Sequence, residues 1–139
     1  MAIEIKFSIV ALGLFFLTAL ATGAWKYRHM LTSADHHAPP YVDIAHKAAL
    51  HYSFATLIVI KMEEVDNLGT VLNLLAASLV IGFFAIATLT YIRLGLDNKT
   101  DNQFKERNFN TTFGMLALIA AEFGGFLILF GGFLCSAFR

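Results

Sequence analysis

The sequence is poor in charge. Only 14% of its 139 residues are Asp, Glu, Lys or Arg, and ten basic side chains balance ten acidic ones. Soluble domains are nearer a quarter charged, so a water-facing surface on all sides is excluded. The zero balance supplies no basic patch for nucleic acid. A single cysteine, Cys135, excludes an internal disulfide and any C-x-x-C motif; it reads as a small residue facing lipid or a neighbouring helix. The only prolines, Pro39 and Pro40, are adjacent, and they break any helix there. No nucleophilic triad, phosphate loop or H-E-x-x-H pattern is present. That leaves sites assembled from several helices.

What the chain does have is apolar residues: 58% are hydrophobic, with a mean hydropathy of +0.67. They come in long blocks, each close to the roughly 20 residues that span a bilayer, and the blocks are apolar nearly all round. The expected fold is all-α: a polytopic membrane protein, one domain over residues 1–139, with four transmembrane helices in an antiparallel bundle. The helices are expected at about 7–25, 44–62, 70–92 and 111–138. The first block is longer than a usual signal-peptide core, so it reads as a retained helix.

Polar segments join these blocks. Residues 26–43 hold His29, His36 and His37, residues 63–69 form an acidic turn, and residues 93–110 are rich in Asn and Asp. Lys26, Arg28, Lys47, Arg93, Lys99, Lys105 and Arg107 fall on one side, against Lys6, Lys61 and Arg139 on the other. By the positive-inside rule, the two long segments face the cytoplasm of a bacterial-type inner membrane, with both termini outside. Trp25, Tyr27, Tyr41 and Tyr91 lie near that boundary as interfacial aromatics.

The stretch Tyr41–Met62 carries the most informative residues. His46 stands at the entry of the second helix, and Ala49 and Ser53 continue its face as a stripe of small side chains. Such a stripe leaves room for a flat macrocycle, and an axial His is a common way to hold haem iron. The alternative is an interfacial His bonded to a loop carbonyl. Asp43 is placed either to cap the second helix or to orient the His46 ring as an outer acceptor. His51 lies about 140° round the helix from His46, so the two rings do not share one iron. It reads as a ligand, a packing residue or a proton relay. Glu122 is a lone carboxylate deep in the fourth block, where a charge is costly unless partnered. It reads as a proton-transfer acid, a hydrogen-bond partner of His51 or Thr56, or a clamp between subunits. Tyr91 is either a hydrogen-bond donor near His46 or an interface anchor. Gly124-Gly125 and Gly131-Gly132 recur at seven residues and open a helix face for close packing. Asp35, His36 and His37 are candidates for a surface metal, and Asp97, Asn98, Asp101, Asn102 and Gln103 for a divalent cation, without EF-hand spacing.

Four apolar helices, a long first loop ending in P-x(5)-AH (Pro39 to His46), and LAL at Leu116 to Leu118 of the fourth helix resemble the styrene oxide isomerase family. That resemblance implies a small four-helix membrane protein, assembled as a trimer with haem b held between subunits. His46 would then be the iron ligand and Tyr91 the site tyrosine, and ferric iron would act as a Lewis acid on an epoxide oxygen. Tyr52 stands where the family has an asparagine, and Phe83 where it has an acidic residue. Three functions are compatible with these features. One is a haem-b protein of isomerase-like architecture. The second is a non-catalytic accessory subunit of a larger membrane oxidase or monooxygenase complex. The third is a small proton or ion pathway through His51 and Glu122.

Overall fold

The computed structural model describes residues 1–138; Arg139, one of the three cations expected on the outer side, lies outside them. The chain forms α1 (Ile3–Thr32), α2 (Pro40–Val65), α3 (Thr70–Asp97) and α4 (Met115–Ala137). A 3-10 turn at Gln103–Lys105 and one π-helical turn at Asn110–Gly114 precede α4. No strand occurs among the described residues.

The helices overrun the apolar blocks. α1 continues for two turns beyond Trp25, because Lys, Tyr, Arg, Met and Leu are adequate helix formers and backbone hydrogen bonds do not depend on hydrophobicity. α2 starts four residues before the expected 44, with Pro40 at its first position, where a missing N–H costs nothing. α3 runs on to Asp97 and stops at Asn98, whose φ of 45° is left-handed, a common helix-ending conformation that Asn tolerates. α4 starts later than expected because residues from Asn110 are wound as a π turn.

α1, α3 and α4 are long and apolar enough to cross a membrane; α2 is not among these candidate spans. Three of the four expected spans are thus supported on length and composition. The reason for the exception lies in α2 itself, which carries Asp43, His46, Lys47, His51, Lys61, Glu63 and Glu64 within its 26 residues.

Sequential helices are neighbours, and α3 also packs on α1. The core gathers Ala11 and Phe15 of α1, Val59 of α2, Ala76, Ala77, Val80, Ile81 and Phe84 of α3, and Leu129 of α4. At its centre Tyr52 stacks on Phe84 at a centroid distance of 4.1 Å, and Phe15 flanks both rings. Only Gly125, Leu129 and Gly132 of α4 are buried, so α4 is the peripheral helix.

The glycine pairs of α4 divide between two faces. A Cβ at Gly125 would lie 2.6 Å from the Ala76 carbonyl oxygen, and one at Gly132 would meet Leu68 at 2.6 Å, whereas Gly124 and Gly131 have nothing within 4 Å. Close packing of α4 thus uses the second glycine of each pair, Gly125 against α3 and Gly132 against the turn that precedes it. Gly125→Ala should cost about 1–3 kcal/mol by overpacking and lower the thermal midpoint in detergent. Gly124→Ala should leave that midpoint unchanged or raise it.

Candidate functional site

At one end of the bundle the C-terminus of α1, the N-terminus of α2 and the C-terminus of α3 meet. A Cβ at Gly95 of α3 would lie 2.9 Å from the Trp25 ring and 3.2 Å from the Val42 backbone nitrogen, so α3 and α2 touch almost backbone to backbone with the Trp25 ring of α1 against the same spot. Tyr41 stacks on Tyr91 at 6.2 Å, and its hydroxyl accepts a 2.6 Å hydrogen bond from the Gln103 N–H. That bond ties the α3–α4 link down onto α2. The cationic residues expected on one side, Lys26 and Lys47 among them, gather at this end. Asp43 sits between those two lysines, at 2.5 and 2.6 Å.

His46 projects from α2 onto α1. Its Nδ1 lies 2.9 Å from the Ala19 carbonyl oxygen. A carbonyl only accepts, so Nδ1 carries a proton, and Nε2 is the ring nitrogen left to act as a ligand when the ring is neutral. The ring fits because α1 offers a glycine opposite it: a Cβ at Gly23 would approach His46 Cε1 to 3.0 Å. Ala45 and Ala49 of α2 are fully buried beside it, and Ser53 is 3% exposed. The small-residue stripe expected to leave room for a macrocycle is therefore enclosed within the bundle. Ser53 bonds the Leu50 carbonyl of its own helix. Asp43, expected as an acceptor for His46, is engaged by the lysines, and the Ala19 carbonyl takes that role.

His51 is exposed and its Nδ1 donates to the Lys47 carbonyl at 2.6 Å, one turn back. It does not face Glu122. Tyr52 of α2 and Tyr91 of α3 are the phenols near enough to feel a charge placed on Glu122. Glu122 Oε1 is buried without a hydrogen-bond partner. Tyr52, Tyr91 and Glu122 thus lie in one region of the bundle, with no hydrogen bond between the carboxyl and either phenol. In sequence Tyr52 stands out only as a departure from the isomerase pattern. Its six-residue step from His46 already puts it on another face of the helix.

Beside Tyr91 a cavity of about 210 Å³ opens between α3 and the start of α4, lined by Thr90, Tyr91, Gln103, Asn110 and Leu118 among others. The π turn supplies Asn110, and such turns are frequent at functional sites. A larger apolar groove of about 430 Å³ runs between α1 and α3, past Leu14, Phe15, Ile81 and Leu89. His46 lines neither.

The loop candidates are locally engaged. The His37 Nδ1 donates to the Asp35 carbonyl and the His36 Nδ1 to that of Met30. The His37 backbone N–H holds the Asp35 carboxyl below its ordinary range, and the Lys105 ammonium does the same for Asp101. No three His, Cys, Asp or Glu side chains among the described residues are gathered closely enough to hold a metal.

No protein-family model, curated protein or solved structure matches the chain.

The fit of His46 against α1 is directly testable. Gly23→Ala should push the ring off the Ala19 carbonyl and cost about 1–3 kcal/mol. Nitrogen NMR of labelled histidine should show the His46 Nδ1–H tautomer in the wild type and its loss in the variant.

Proposed function

We propose that the chain is an integral membrane protein of four transmembrane helices in which His46 is an axial ligand of haem b, shared between copies of the chain as in the isomerases it resembles. The observation that carries this reading is the bond from His46 Nδ1 to the Ala19 carbonyl. Histidine ligands almost always donate their second ring N–H to a carbonyl or carboxylate, which fixes the tautomer and raises the basicity of the ligating nitrogen. His46 has that arrangement built in by α1. The cavities of the single chain lie elsewhere, so this reading requires a site completed by a second copy.

Haem iron at this position would supply a Lewis-acid or redox centre. The chain's own contribution is positional. Ala19 and Gly23 set the imidazole, and Ala45 and Ala49 let the two helices close on it. The paired lysines neutralise Asp43, leaving the ring free of a competing carboxylate. α2 completes the span with Ser53 and Thr56 buried in the bundle, while its exposed Lys47, Lys61 and Glu64 stand toward its two ends. The seven cations put their end of the bundle in the cytoplasm.

A second reading, an accessory subunit of a larger membrane complex, is favoured by the open glycines of α4. Gly124 and Gly131 face outward with free space above them, a surface on which another helix could close.

Purified protein from haem-replete cells should show a Soret band that His46→Ala abolishes and His51→Ala retains. Colourless wild-type protein, without iron and unable to take up added haemin, would sink the haem reading. The accessory reading fails if the chain expressed alone forms a stable homotrimer.

A further inference from the structure

The other end of the bundle holds a group of side chains that the haem reading does not use. Here the N-terminus of α1, the C-terminus of α2 and the N-terminus of α3 converge under the short turn at residues 66–69. Glu4 and Glu63 are each only 5% exposed, Asn73 is 2% exposed, and Ser8 is fully buried. Neither glutamate has a basic partner within 4 Å among the described residues. Burial pushes the Glu63 carboxyl up to about 7; the nearby Ser8 hydroxyl opposes that shift, and the Glu4 and Asp66 carboxylates add to it. Glu4 receives one long hydrogen bond, 3.4 Å from the Thr70 hydroxyl. Asp66 Oδ1 takes the Leu68 N–H and the Asn73 side-chain N–H, both at 3.0 Å.

The remaining atoms are chemically uniform. Glu4 Oε2, Ser8 Oγ, both Glu63 carboxylate oxygens, Asp66 Oδ2 and Asn73 Oδ1 are all buried without a partner. All six are oxygens, and two of them belong to neutral side chains more than nine-tenths buried. The Asn73 amide is oriented by Asp66, a pure acceptor that takes its N–H, so its oxygen is the free atom. Buried carboxylates without cationic partners are costly, and six oxygens with so few donors are the environment that hard cations require.

We infer that this end of the bundle is a binding site for a hard, calcium-class divalent cation, with Glu63 at its centre, Ser8 and Asn73 as neutral oxygens, and Glu4 and Asp66 as flanking carboxylates. As the side chains stand, three acids do not converge on one point. Binding therefore includes a rotation of Glu4 or Asp66 toward Glu63. The ion would tie α1 to the α2–α3 turn, and the site is independent of whatever His46 holds.

The experiment uses the full chain in lipid nanodiscs, with calcium alone as the probe, at constant ionic strength. Equilibrium dialysis with radiolabelled calcium should find one saturable ion per chain, and thermal melts should rise with calcium and fall with chelator. Glu63→Gln should weaken binding at least tenfold, and Ser8→Ala, a gentler change for folding, should weaken it several-fold. Glu64→Gln, at an exposed residue paired with Lys61, should leave it unchanged. Folded wild-type protein that binds no calcium overturns the proposal. So does a melt that depends on pH but not on calcium and is raised by Glu63→Gln, since that result means protonated carboxyls. Equal binding of sodium in calcium's place also overturns it.

Discussion

The contact between α1 and α2 is closed by side chains with almost no bulk, and the positions of the other polar groups depend on it. Ala19 and Gly23 on one helix meet Ala45, His46 and Ala49 on the other. In an apolar surrounding there is no water to satisfy an imidazole, so the ring takes a backbone carbonyl that the small residues bring within 2.9 Å. Bulk at Gly23 would deny it that partner. The same closeness turns Tyr52 toward α3, where it stacks with Phe84, and leaves His51 on the outside. One helix pair thus sorts three neighbouring polar side chains into three environments: one facing α1, one in the core and one on the surface.

The two ends of the bundle handle charge in opposite ways. At the cationic end the groups at the helix junction find partners in one another: Asp43 has two lysines, and the Tyr41 hydroxyl has the Gln103 N–H. At the acidic end the oxygens outnumber the donors, and neither Glu63 oxygen has a hydrogen bond. Helix dipoles do not explain the difference, because Glu63 sits at a helix C-terminus, where a negative charge is disfavoured. A bound cation or protons must supply what the chain does not. Between the ends lies Glu122, whose neighbours are the two phenols Tyr52 and Tyr91.

Much of this is legible in residue order. Four helices and their links are marked by apolar blocks separated by polar runs, and the glycine pairs announce close packing of α4. Which glycine of each pair packs is not legible, since Gly124 and Gly125 are adjacent and differ only in the direction they face. Hydropathy misplaces the helix ends because it is not helicity: α1 continues through Lys26–Thr32 and α2 begins at Pro40. Asp43 is well placed in sequence to reach His46, yet Lys26, seventeen positions earlier in the chain, claims it. The acidic cluster looks in sequence like a turn and no more, because Glu4 and Ser8 come from the far end of α1 and nothing in residue order joins them to Glu63.

Local order alone therefore determined the features set by short-range physics: helical structure, the apolar character of the spans, and the gathering of cations at one end. Hydrophobic burial and backbone hydrogen bonding act over a few residues or along one helix, so composition and spacing suffice. Tertiary structure alone decided which ring nitrogen of His46 faces the Ala19 carbonyl, that Tyr52 and Tyr91 lie in the region of Glu122, and that Glu4, Ser8, Glu63, Asp66 and Asn73 share one buried end. Those outcomes depend on the rotation of each helix about its axis, which is set by the fit of small residues such as Gly23 and Gly125 against a partner far away in sequence.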